Sequence, residues 1–168
     1  MAQQYIYAVS GIKYGTPTGS TTMPGTGALV ALPNTVKGSI TIEETEGTVT
    51  KFFVDQKKDP IRAIKTDEGE MSVVAQFYDL NPIHLANLKG GTPVTGATES
   101  FTPSADYTNV EKAIEITFSS GHKMNIYNGS IVARMIGEGG RDAMIRWEVK
   151  ITPQVTADSG AAYNLTTS

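Results

Sequence analysis

Through most of the chain, apolar and polar residues alternate in short runs broken by Gly, Pro and Asp-rich turns. A period of two specifies strands, because successive side chains on a strand point to opposite faces. Residues 4–12 alternate loosely and are expected to form a first strand, with a short one at 28–32. Residues 39–54 read as a hairpin about the two-residue turn Glu46-Gly47, where Gly tolerates φ > 0. That register sets Thr45 opposite Thr48, Glu43 opposite Thr50 and Ile40 opposite Phe53. One face then carries Ile40, Ile42, Val49 and Phe53 toward a core. The other carries Thr41, Glu43, Thr45, Thr48 and Thr50 toward solvent or a lumen. Residues 62–66 form a short strand. Residues 70–78 are apolar on both faces, as expected of a central strand buried on two sides.

Residues 112–118 alternate strictly, with Ile114, Ile116 and Phe118 on one face and Glu115 and Thr117 on the other. The chain turns at 119–122, returns over 123–127, meets a further turn signal at Asn128-Gly129 and continues over 130–136. After a loop at 137–142, residues 143–152 form the last strong strand. Ile145, Trp147, Val149 and Ile151 are expected inward, and Arg146, Glu148 and Lys150 outward.

One helix interrupts this pattern, over residues 81–90. Asn81 suits the cap, and Pro82 suits the first helical position, where a missing N–H costs nothing. Leu80 can staple onto Leu85, and Gly90 fits a left-handed stop. So short a helix is unstable alone in water, so Leu85 and Leu88 must dock on a sheet.

Three polar segments lie between the strands. In residues 15–27, within an arm spanning 13–35, twelve of thirteen residues are Gly, Thr, Pro or Ser. Residues 92–109 read as a second polar loop, and residues 153–168 as a C-terminal tail with one charge, Asp158. Each is too polar to offset its own ordering entropy, and is expected to order where something else packs on it. The expected architecture is one mostly-β domain over residues 1–152, an antiparallel β-sandwich or half-barrel of eight or nine strands with one short helix, followed by the tail.

Composition narrows the functional classes. The 168 residues suit one domain with a sizeable core. There is no cysteine, which excludes disulfides and thiolate chemistry. Fourteen Lys and Arg against seventeen Asp and Glu give a net charge of −3, with no block of like charge to suggest a nucleic-acid grip. Charged residues are scarce and 21 Thr and 17 Gly take their place. That suits β-structure, and equally suits surfaces that pack on copies of themselves. No apolar run approaches the ~20 residues needed to cross a bilayer as a helix. The first residues lack the basic start and apolar stretch of a secretory signal, so export by that route is not expected.

Candidate chemistry is sparse. His84 lies on the helix and His122 in a turn, without further ligands at metal-site spacing, so neither a metal nor a cofactor is expected. No G-x-S-x-G elbow or Walker sequence occurs, and the glycines at 137, 139 and 140 precede a strand rather than a helix. The carboxylates Glu43, Glu44 and Glu46, and likewise Asp67, Glu68 and Glu70, read as solvated turn charges rather than an acid–base pair. An enzyme is therefore the least expected class.

The stretch "GSITIEETEGTVTKFFVDQKKDPIRAIKTDEGEMSVVAQFYDLNPIHLANLKGG" resembles the tail tube (major tail) proteins of long-tailed bacteriophages, with a weaker likeness running on to residue 152. The parts that carry it are "SITIEETEG", "DPIRAIKT", "EMSVVAQF" and the helix ending "LANLKGG". The tube proteins of contractile injection systems are similar in fold. The resemblance implies a structural subunit rather than an enzyme, six copies forming a ring whose strands join into one larger β-barrel, with rings stacked into a virion tail tube. It implies assembly in the bacterial host cytoplasm, contacts with tape-measure, terminator and initiator proteins, passing DNA, and no membrane insertion by this chain. On that reading Thr41, Glu43, Thr48 and Thr50 face the lumen, and the arms that reach neighbours include Thr16, Thr18, Thr22, Met23, Thr102, Tyr107 and Tyr163. The alternative is a β-sandwich binding module for carbohydrate, a host surface or a capsid, for which Tyr14 and Tyr107 are the loop aromatics.

Overall fold

The computed structural model describes residues 6, 8–53, 55, 58–65, 69–106, 108–137 and 144–167. The protein is mostly β, with antiparallel sheets and a single α-helix. Its strands are β1 (Val9–Gly15), β2 (Val30–Ala31), β3 (Thr41–Glu44), β4 (Val49–Phe52), β5 (Arg62–Lys65), β6 (Met71–Phe77), β7 (Gly91–Val94), β8 (Ser100–Pro103), β9 (Val110–Phe118), β10 (Lys123–Ile136), β11 (Arg146–Pro153) and β12 (Tyr163–Thr166). The helix α1 is Pro82–Lys89.

Eight strands form the main sheet in the order β2-β1-β9-β10-β11-β6-β3, with β12 pairing β10 in line with β11. The chain between β2 and β3 runs from one end of this sheet to the other. The Leu32 amide donates to the Ile12 carbonyl, Thr35 bridges to Phe77, and the Val36 amide donates to the Gln76 carbonyl. The sheet thereby curls into a barrel-like layer, left open near Val9 by a recess of about 390 Å³ between residues 9–13 and 31–35. Inside it the strands contribute one apolar row each: Ile12 and Tyr14, Val73 and Phe77, Ile114 and Ile116, Met124 and Ile126, Val149 and Ile151. Leu85 and Leu88 of α1 complete this core. The helix is set as its sequence demands. The Asn81 side chain accepts from the His84 amide at 2.8 Å, and Gly90 takes φ 77° at the other end.

Five expectations are corrected. The hairpin over residues 39–54 does not form. β3 pairs with β6 and β4 pairs with β5, so Glu43 lies opposite Ser72 and Thr50 opposite Ile64. The Thr45 hydroxyl and backbone bond Glu70 instead, at 2.8–3.3 Å, which ties the chain to β6 where the turn was expected. Of its expected core face only Ile40 packs on the core, while Ile42, Val49 and Phe53 are exposed.

Asn128-Gly129 is not a turn. β10 runs through it as one strand of fourteen residues, with a register shift against β9 between Ile126 and Gly129. The extra residue reverses side-chain parity, so Met124 and Ile126 face inward before it and Ile131 and Ala133 after it. A Cβ on Gly129 would lie 2.8 Å from Ile151 Cγ2. The glycine is there because a neighbouring strand packs against its backbone.

The polar segment 92–109 contains the ribbon β7–β8, with Phe101 resting on the core. Pro93 and Pro103 are tolerated because each strand of a two-stranded ribbon has an edge that needs no donor. The C-terminal tail returns as β12, which pairs residues 163–166 with 123–126 of β10. In β6, the two faces also differ. Val73, Ala75 and Phe77 are buried, whereas Ser72, Val74 and Gln76 are half-buried on a polar face.

Candidate functional site

β10, β11, β6 and β3 form a four-stranded layer with a polar outer face. Cross-strand partners share a face, so Val132, Lys150, Val74 and Thr41 form one outward row. Arg134, Glu148 and Gln76 form a second, and Ser72 and Glu43 belong to a third. Both arginines of this face are held by partners on it. Arg134 Nε donates to Glu148 Oε1 at 2.6 Å, and Arg146 donates to Gln76 Oε1 at 3.1 Å. Arg134, Arg146 and Lys150 stand against Glu148 and Glu43, an excess of one positive charge and not a basic stripe.

Both margins of the layer lack a strand partner among the described residues. β3 ends the sheet, with no partner beyond it among the described residues. β9 pairs β10 only as far as Ile131, so residues 132–136 have β11 on one side and no strand on the other among the described residues. Free edges of this kind present unpaired backbone donors and acceptors to any strand that approaches. Thr41 and Glu43 sit on the outer face at the β3 margin. Thr48 and Thr50 do not join them, because Thr50 belongs to β4 and Thr48 immediately precedes it.

β4 and β5 form a separate two-stranded ribbon. All of its strand residues except Ile64 are exposed, and Val49, Phe52, Phe53 and Ile61 are apolar side chains left open to water, Phe53 at 60% of its area. A lone ribbon is marginal in water, and an apolar one is a surface to be covered. At its base lies a recess of about 460 Å³ lined by Glu44, Glu70, Met71, Pro153 and Tyr163 among others.

Of the expected arm residues, Thr16, Thr18 and Thr22 are exposed and Met23 is half-buried in the loop after β1. That loop is ordered within its own chain. The hydroxyls of Thr18, Ser20 and Thr22 bond one another, and Asp158 ties the loop to the C-terminal segment by accepting from the Thr21 amide at 3.4 Å. Asp158 also accepts from the Gly160 amide and the Thr156 hydroxyl, and these bonds, the hydroxyl's first, hold its carboxyl below the usual range. Thr102 is exposed on β8, and Tyr163 is half-buried against the core in β12. Tyr107 lies outside the described residues, as do Asp67 and Glu68.

Tyr14 is corrected from a loop aromatic to a core residue of β1, 3% exposed. Its ring meets His84 edge-on at 5.8 Å between centroids, and Lys112 Nζ lies 6.0 Å from its centre. Lys112 also donates to Asn87 at 3.4 Å. This polar contact between α1 and the sheet was hidden in the sequence, where Tyr14 and His84 are seventy residues apart. His122 is buried in its turn, with Nδ1 2.9 Å from the Ser120 hydroxyl. Among the described residues no three His, Asp or Glu are grouped to hold a metal ion. No helix among them is long and apolar enough to cross a membrane.

No protein-family model matches the chain, and no curated protein matches its sequence.

Proposed function

We propose that the protein is a self-assembling structural subunit of a phage tail tube, whose copies join edge to edge in hexameric rings that stack into a conduit for the genome. The observation that carries this reading is the four-stranded layer with two open margins. Its strands alternate in direction, and four is an even number. The β10 margin of one copy therefore meets the β3 margin of the next as an antiparallel neighbour. Repetition of one such head-to-tail contact closes a ring or generates a helix, and closure removes the free edges. The polar outer face would then line the inside of the ring, with Thr41 and Glu43 in the lumen and no basic stripe to hold passing DNA. The uncovered apolar ribbon β4–β5 supports the same reading, since a subunit awaiting partners can carry surface that an isolated protein cannot. The identification as a tail tube, with tape-measure, terminator and initiator proteins as further partners, rests on the resemblance carried by residues 39–91.

Cysteine scanning tests the edge contact directly, because the chain has no cysteine of its own. Thr41→Cys or Glu43→Cys is paired in turn with Val132→Cys or Ile136→Cys in one chain and oxidised. The reading expects a ladder of cross-linked multimers from at least one pairing, since bonded partners on facing strands come within disulfide reach. Monomer from all four pairings, in protein that sediments as an oligomer, would overturn the edge contact.

A further inference from the structure

The β4–β5 ribbon carries a charge opposite to that of the body it leaves. Residues 49–65 hold Lys51, Lys57, Lys58, Arg62 and Lys65 against Asp55 and Asp59, a net +3 in a chain of net −3, so the remainder carries −6. The basic and apolar side chains are interleaved. Phe52 lies opposite Arg62 on one face of the ribbon, and Lys51 beside Val49 on the other. The recess between the start of β6 and β12 has the complementary make-up. Glu44 and Glu70 are exposed at its rim, and Met71, Pro153 and Tyr163 supply apolar walls around about 460 Å³.

We infer that the ribbon of one copy seats in the Glu44–Glu70 recess of a second copy, and that charge attraction between them guides assembly. The inference rests on the reading of the chain as a self-assembling subunit. A second copy is the occupant favoured by charge, since the acidic body is the surface present at the same concentration as the basic ribbon. Phe52 supplies the apolar contact that charge alone does not, Arg62 on the same face supplies pairing to a rim carboxylate, and Lys51 on the opposite face adds to the attracting charge. Complementary charge of this kind acts chiefly on encounter and on the choice of partner, and is weakened by salt.

The test is a charge swap followed by sedimentation over a concentration series. Lys51→Glu/Arg62→Glu and, separately, Glu44→Lys/Glu70→Lys should each raise the concentration needed for assembly by about tenfold or more, as like charges meet. The four substitutions combined in one chain should restore it. All three variants change exposed side chains, and melting temperatures near that of the wild type confirm that they fold. Independently, assembly of the wild type should weaken from 50 to 500 mM salt. Wild-type assembly that survives Lys51→Glu/Arg62→Glu unchanged overturns the ribbon contact and leaves the edge-to-edge reading standing. Failure of the combined variant to recover overturns the recess as the seat. Unchanged assembly with loss of retention on DNA would show that the ribbon faces nucleic acid instead. A wild type that stays monomeric throughout overturns the assembly reading itself.

Discussion

The Tyr14 hydroxyl lies 3.0 Å from Nδ1 of His84, joining the first strand to the only α-helix among the described residues. With His84 neutral, Nδ1 can accept from that hydroxyl. Burial holds the His84 pKa below its usual value, opposed in part by the nearby Asp79 carboxylate. The ring also sits in the first turn of α1, where the helix dipole disfavours a cation, and Lys112 packs on the same tyrosine.

Acid should therefore loosen the helix. A histidine with a depressed folded-state pKa stabilises the fold fully above the unfolded value of about 6.5, and this contribution is lost as pH falls from there through the folded value. The melting temperature of the wild type should fall between pH 7.5 and pH 5 by more than that of His84→Gln. Equal falls in the two proteins would show that His84 is not the group responsible.

Glu115 makes a second prediction. It is nearly buried on the outer face of β9, between Lys13 Nζ at 3.5 Å and Lys123 Nζ at 3.1 Å. Both lysines keep access to water, which limits the cost of removing their partner. Glu115→Ala should destabilise the protein by about 1–2 kcal/mol in urea denaturation. A loss above about 4 kcal/mol would mean that the pair is far less solvated than its geometry implies.

At the bulge of β10, Gly129→Ala places a methyl group 2.8 Å from Ile151 Cγ2, on a branched side chain that cannot swing away. Overpacking should cost about 1–3 kcal/mol. Urea midpoints measure it, and an unchanged midpoint would show that the strands separate freely at this crossing.

Asp158 clasps the loop of residues 15–27 to the C-terminal segment. Asp158→Ala should speed amide exchange at Thr21 and Gly160 while leaving the core amides of β9 and β11 unaffected. Because its folded-state pKa is depressed, the wild-type clasp is intact above the unfolded value and opens as pH falls through the folded one. Protection at Thr21 that is unchanged by the substitution would contradict this account.

The elements most legible in the sequence were those whose side-chain periodicity and punctuation agree. The strict alternation ending at Phe118 and the Asn81-Pro82 to Gly90 framing of the helix specified β9 and α1 within a residue or two. The hairpin about Glu46-Gly47 failed because a local turn signal cannot express that Thr45 is bound to Glu70, twenty-five residues away. Asn128-Gly129 failed for a related reason, since the same dipeptide serves a turn or a bulge and Ile151 decides between them. Among candidate site residues, Thr41 and Glu43 are exposed on β3, but so is Ile42, so alternation in the sequence did not separate a core face from an outer one there. The free margins of β3 and β10 were not legible, since an edge is a property of what fails to pair. The Tyr14–His84 contact likewise depends on the curl of the sheet rather than on either residue's neighbours.

Electron microscopy of the purified protein across a wide concentration range would show the assembly itself. Rings or hollow tubes are expected, with the polar face of β10, β11, β6 and β3 turned to the central channel. Small monomeric particles at every concentration and salt condition would contradict the assembly reading.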